Sequence, residues 1–240
     1  MSRPRLDNFR SPLAVVCFVG TCALGLALDL STKVWAFRAL ETSRIVEPDN
    51  RTRVFSETYK FIPGWLEFEV TLNPGAVFGL GAGQRWLFVG VSIAAIAFLS
   101  WLFASSERRQ HGYHILLGML LAGVLGNLYD RIRFGEVRDM IHALNGFHWP
   151  GTWRLPIVDY PAGATRDVFP YIFNVADTLL CTGVFLMIVY SFFQKPRADP
   201  QRSAVTGGAD NVGDAITSAS RPARPSEHRD ARPPAERPRV

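Results

Sequence analysis

Apolar residues gather along this chain into four long runs, from about Leu13 to Phe37, Trp86 to Ala104, Tyr113 to Tyr129 and Tyr171 to Phe193. A helix needs roughly 20 mostly apolar residues, at about 1.5 Å each, to cross a bilayer. The first two runs meet that requirement without a charged interruption near their middle. The third and fourth carry polar residues close to one end, and those residues turn out to matter most. The pattern predicts a mainly α membrane protein of four transmembrane helices spanning residues 13–195, after a short N-terminal segment, 1–12.

Between the first two runs lies a long loop, about 38–85, with a different rhythm. Arg53-Val54-Phe55 and Trp65-Leu66-Glu67-Phe68-Glu69-Val70 alternate polar and apolar positions, as half-buried strands do. A small β-sheet lying on the membrane surface is expected there. The loop of about 132–170 is rich in Pro, Gly and aromatic residues, among them Phe147, Trp149, Trp153, Tyr160 and Phe169, which favour the headgroup region. It reads as a lid or surface-lying segment, with an unstructured insertion as the alternative. From Pro196 onward there is no aromatic residue. Such a stretch cannot bury enough apolar surface to offset its ordering entropy, so residues 196–240 are expected to form a disordered tail.

Charge adds the orientation. Arg3, Arg5 and Arg10 precede the first run, Arg108 and Arg109 lie between the second and third, and Lys195, Arg197 and Arg202 follow the fourth. All fall on one side, which places both termini in the cytoplasm. The net charge of +5 is accounted for by the tail and by lipid headgroups, so no nucleic-acid partner is expected. The N-terminal arginines before an apolar run resemble a cleavable leader. That run continues past the loosely fitting Gly25-Leu26-Ala27, so a retained first helix is expected. Cys17, Cys22 and Cys181 all lie within apolar runs and have neither disulfide nor metal-ligand spacing.

Ionisable groups in membrane helices are expensive and need a reason. With the orientation fixed, they collect at the outer face: Asp29 and Lys33 on the first helix, Asn127, Asp130 and Arg131 on the third, Asn174 and Asp177 at the start of the fourth. Asp139 follows on the same side, and Asn73-Pro74-Gly75-Ala76 leads into the second helix there. Asp29 and Lys33 are spaced to pair along one helix face, and an adjacent Arg131 would keep Asp130 ionised. Asp139 and Asp177 have no cation at helical spacing, although Arg138 adjoins Asp139 in sequence and could point elsewhere. Two carboxylates brought together share one proton, activate a water and then protonate a leaving amine. Plain surface or capping aspartates are the competing account.

Five segments sharpen the choice: Asp29-Leu30-Ser31-Thr32-Lys33, Asn73-Pro74-Gly75-Ala76-Val77-Phe78, Gly126-Asn127-Leu128-Tyr129-Asp130-Arg131, Val137-Arg138-Asp139 and Phe173-Asn174-Val175-Ala176-Asp177. In this order they resemble the motifs of bacterial lipoprotein signal peptidase (signal peptidase II), over roughly residues 12–193. The resemblance implies an aspartic endopeptidase of the bacterial inner membrane that cleaves prolipoproteins before a diacylglyceryl-modified cysteine. It assigns Asp139 and Asp177 as the catalytic pair and Asn73, Asn127, Arg131 and Asn174 as groups that bind substrate or orient the pair. Asp29, Lys33, Asp130 and Gly75 become supporting residues, and the outer-loop sheet a cradle for substrate. No metal or organic cofactor is implied. The expected partners are the lipidated prolipoprotein and membrane lipids, and the expected state is a monomer.

One departure stands out. The interval between Asp139 and Asp177 is longer than the family pattern, through an insertion within Asn145 to Pro170 that holds two rival acids, Asp159 and Asp167. Three other readings are weighed against this resemblance, one of them a presenilin-type intramembrane aspartyl protease, whose first motif Tyr129-Asp130 resembles but whose Gly-x-Gly-Asp does not follow. A proton-coupled carrier would keep its acids near the midplane rather than at one interface. A Ser31–Lys33 peptidase would need two residues that point to different helix faces.

Overall fold

Each apolar run becomes one helix. The computed structural model describes residues 11–47, 52–75, 83–150 and 168–193. Its helices are α1 (Pro12–Leu40), α2 (Arg85–Ser105), α3 (His111–Phe134) and α4 (Val175–Phe193), all long and apolar enough to cross a membrane. The 21 residues of α2 cover about 32 Å, close to the hydrocarbon thickness of a bilayer. Ser11 and Pro12 open α1, and the helix passes through a π-helical turn at Val16–Gly20. α3 packs against the other three helices and is the most enclosed of the four. Glycines let it approach so closely. A Cβ on Gly118 would lie 2.5 Å from the Phe18 carbonyl of α1, and one on Gly123 would lie 2.6 Å from the Ala176 carbonyl of α4.

The helix boundaries depart furthest from the sequence expectation at two places. α3 runs on beyond Tyr129 to Phe134, because Arg131 and Arg133 complement the negative end of the helix and Gly135, at φ 91°, closes it. α4 starts at Val175 rather than Tyr171. Ile172 and Phe173 are extended instead, and Asn174 caps the helix: its Oδ1 accepts from the Asp177 amide at 2.9 Å, while the Asn174 amide donates to Asp177 Oδ2 at 3.3 Å. This reciprocal pair is a capping box in which Asp177 takes the acidic place.

At the end of the bundle where α1 and α3 finish and α2 and α4 begin lie six strands. β1 (Glu41–Val46) and β2 (Thr52–Ser56) form an antiparallel hairpin. β3 (Tyr59–Ile62), β4 (Leu66–Asn73), β5 (Val137–Ala143) and β6 (Ile172–Phe173) form a sheet in that order. The strands expected around Val54 and Leu66–Val70 are present as β2 and β4. β5 was not expected: the start of the loop read as a lid is a central strand instead. Its register against β4 sets Asp139 opposite Thr71, Arg138 opposite Leu72 and Val137 opposite Asn73, after an irregularity between Phe68 and Thr71. Val70 and Met140 of this sheet pack on Ala36, Phe37 and Leu40, so the sheet is seated on the last turns of α1. Residues 151–167, with Asp159 and Asp167, and the tail lie outside the described residues.

Candidate active site

The acids and amides predicted from sequence converge where the sheet meets the helix ends. Two layers can be distinguished. The deeper one is ionic. Lys33 Nζ lies 2.8 Å from Asp29 Oδ2 one turn back on α1 and 3.1 Å from Asp130 Oδ2 on α3, and all three side chains are fully buried. The expected Asp29–Lys33 pair is therefore present, and it spans more than its own helix. Asp29 Oδ1 accepts the Ala176 amide of α4 at 2.9 Å. Gly126 leaves room for it, since a Cβ there would overlap the Asp29 carboxylate.

Asp130 is not held by its sequence neighbour Arg131, as the adjacency suggested. Its partners are Lys33 and Arg138. Arg138 donates its backbone N–H to Oδ2 at 3.1 Å, and its Nε and Nη2 to Oδ1 at 3.1 and 2.8 Å. Burying an ion costs several kcal/mol unless its partners satisfy it. Here two carboxylates meet two cations: Lys33 spans both acids, and Arg138 closes on Asp130.

The shallower layer is built from amides and two acids. Asp139, 1% exposed on β5, accepts from Asn174 Nδ2 at 2.6 Å and from Asn73 Nδ2 at 3.1 Å. Asp177, partly exposed in the first turn of α4, accepts from Asn127 Nδ2 at 2.8 Å. Asn174 Nδ2 also donates to Asn127 Oδ1 at 3.2 Å, and Lys33 Nζ reaches that same oxygen at 3.3 Å. One chain of hydrogen bonds thus runs from the ionic layer through Asn127 and Asn174 to both acids. Burial, reinforced by the charge of Asp177, pushes the Asp139 carboxyl up to about 8 from its ordinary 3.8.

Gly75 and Arg131 close the rim. The Gly75 amide donates to Asn73 Oδ1 at 2.9 Å, fixing the Asn73 side chain, and its carbonyl accepts from Arg131 Nη2 at 3.0 Å. The Arg131 guanidinium stacks 5.0 Å from the Phe88 ring of α2, and its charge acts on Asp177 and Asp139. All ten residues singled out from the sequence belong to this assembly.

Arg138 has no role in the sequence expectation, in which it only adjoins Asp139 and could point elsewhere. Had Val137–Ala143 been read as a strand, alternation would have turned Arg138 to the face opposite Asp139. Ser31 does not approach Lys33: its Oγ bonds the Leu28 carbonyl at 3.2 Å on an exposed face, which removes the serine–lysine reading. Among the described residues no group of three or more His, Cys, Asp or Glu side chains is placed to hold a metal ion.

This arrangement has relatives. The family model described as signal peptidase (SPase) II matches residues 21–193. The lipoprotein signal peptidase of Rhodopirellula baltica is 33% identical over 183 residues, covering 73% of this chain and 71% of the relative. That of Methylorubrum extorquens is 31% identical over 188 residues, covering 76% and 90%. In fold, the chain resembles a bacterial membrane enzyme solved by the in meso method, with a TM-score of 0.53 at 23% identity over 75% of this chain and 93% of that one. By the match of its model over most of the membrane domain, the chain belongs to the signal peptidase II family.

Proposed function

We propose that this peptidase removes the signal peptide of prolipoproteins by hydrolysis before a diacylglyceryl-modified cysteine, with Asp139 and Asp177 as the catalytic pair. The observation that carries the reading is Asn174. Its side-chain amide holds Asp139 and its backbone amide holds Asp177, so one residue sets the two carboxyls against each other. Asp139, buried and pushed up to about 8, keeps the shared proton at neutral pH. Asp177, partly open in the first turn of α4, is the member placed to take a proton from water.

A water between them gives a proton to Asp177 as its oxygen bonds to the scissile carbonyl carbon. The Asp139 proton meanwhile bonds the carbonyl oxygen. The tetrahedral intermediate then collapses: the C–N bond breaks, the amine of the lipidated cysteine takes the proton now on Asp177, a hydroxyl of the intermediate returns its proton to Asp139, and the signal peptide leaves with a new carboxyl group. The pair again holds one proton. Arg131 and Asn73, at the rim, are suited to hold the peptide backbone, and the β3–β6 sheet to support the chain on either side of the bond.

As a bacterial family member with four apolar helices, the protein is a multi-pass protein of the inner membrane. The arginine distribution supports termini in the cytoplasm and a site at the outer interface, where water is at hand and a lipid-anchored substrate arrives sideways from the bilayer. The full domain division proposed is an N-terminal segment at 1–12, a peptidase domain at 13–195 and a tail at 196–240. A monomer suffices, since one chain supplies every residue named.

The test is cleavage of a diacylglyceryl-modified prolipoprotein by purified wild type, Asp139→Asn and Asp177→Asn, with thermal unfolding followed in parallel. Wild type is expected to cut before the lipidated cysteine, and both variants to fold and lose activity by at least about 1,000-fold. Retained cutting by Asp139→Asn together with its loss in Asp159→Asn would transfer the role to the insertion.

A further inference from the structure

Arg138 sits next to Asp139 in sequence but on the other face of β5, 7% exposed. Its guanidinium grips Asp130 through Nε and Nη2 and stacks on the Phe134 ring at 4.3 Å, with Phe37 at 6.0 Å. Asp130 takes Lys33 at 3.1 Å, and Lys33 bonds Asn127, the amide that holds Asp177. Arg138 is therefore linked to Asp139 through the strand and to Asp177 through Asp130, Lys33 and Asn127.

The charges behind the pair are Asp29 and Lys33 from α1, Asp130 from α3 and Arg138 from β5. They sum to zero only because Arg138 is present. Arg131 of α3 faces the pair from the rim, while β4 contributes the neutral Asn73 and the cap of α4 the neutral Asn174, with Asp177 itself in the first turn of that helix. Take Arg138 away and the buried layer carries one net negative charge behind two carboxyls that must hold one proton between them. In a weakly screened interior such a charge tightens their hold on it.

We propose that Arg138 is a positioning residue that completes the charge balance behind Asp139 and Asp177 and so sets the pH range in which the pair keeps a single proton. This rests on the catalytic assignment above. Log kcat for cleavage of a diacylglyceryl-modified prolipoprotein by the full chain in detergent is measured against pH for wild type, Arg138→Met, Arg138→Lys and the double variant Asp130→Asn/Arg138→Met. The alkaline limb of Arg138→Met is expected to move up by roughly one pH unit, the shift due to one uncompensated charge on the order of 10 Å away. Arg138→Lys is expected to keep the wild-type limb, and the double variant to return to it at whatever rate it retains, because its buried layer is again neutral.

A folded Arg138→Met with an unmoved limb overturns the proposal. So does a double variant displaced as far as the single one, since that marks a packing effect. Should Arg138→Met fail to fold, Arg138→Gln, which keeps one hydrogen bond to Asp130, is read in the same way. A wild type that cleaves nothing overturns the peptidase mechanism itself, a result distinct from active enzymes with coincident profiles.

Discussion

Asn174 performs three tasks with one side chain: it caps α4, holds Asp139 at 2.6 Å and bonds Asn127 at 3.2 Å. Alanine there leaves a buried carboxyl without its shortest donor and frees the helix start that carries Asp177. Misplacement of catalytic groups by about 1 Å costs roughly 100-fold, so Asn174→Ala is expected to lower kcat by that order with KM changed only a few-fold. Steady-state kinetics check it, and a rise in KM at unchanged kcat would make Asn174 a substrate contact instead. At this scale the sequence was informative about which residues matter and poor about whom they bond. Asp130 beside Arg131 invites a local pair, yet the carboxylate is satisfied by Lys33 from another helix and by Arg138 from a strand. Sequence adjacency on a helix directs neighbours about 100° apart, so partners arrive from elsewhere.

Helices α1 and α2 were legible because long, mostly apolar runs have one physical outcome in a bilayer. Strand β5 was not, because Val137-Arg138-Asp139-Met140 is buried on both faces and places its charges at successive positions, which erases polar–apolar alternation. The start of α4 was misjudged for a related reason: Ile172 and Phe173 are apolar enough to pass for helix, and only their pairing with β5 makes them extended. Between α3 and α4 the decisive element feature is Gly123, whose Cβ would lie 2.6 Å from both the Ala176 carbonyl and Leu180 Cγ. Gly123→Ala is expected to destabilise the fold by about 1–3 kcal/mol and to cut activity, since Asn127 lies one turn onward and Asp177 follows Ala176. Gly90→Ala, whose Cβ meets nothing within 4 Å, is the matched control. Thermal unfolding in detergent distinguishes them, and equal midpoints would refute the close-approach argument.

For the molecule as a whole, the proposed proton sharing predicts how activity and stability respond to pH. Activity falls as pH rises through about 8, because the pair then loses the proton it gives to the amine. Stability carries the same signature. Asp139 has its folded value raised above the ordinary 3.8, so the folded protein holds the extra proton between those limits. Its contribution is complete below about pH 4 and is lost progressively as pH rises towards 8. The melting temperature of wild type is expected to decline across that window relative to Asp139→Asn, which has no such proton. Parallel pH curves for the two proteins would mean that Asp139 titrates normally.

The β4–β5 register has one further consequence. Only Gly135 and Glu136 separate the end of α3 from the start of β5, and they act as a reading frame for the strand. In frame, the acid faces Asn73 and Asn174 and the arginine faces the salt cluster. Shifted by one residue, the same strand would deliver a guanidinium to the asparagines that hold Asp139 and a third carboxylate to the buried ions. Such an error would invert the chemistry rather than weaken it. The length of this two-residue link is therefore under a far stricter constraint than its composition.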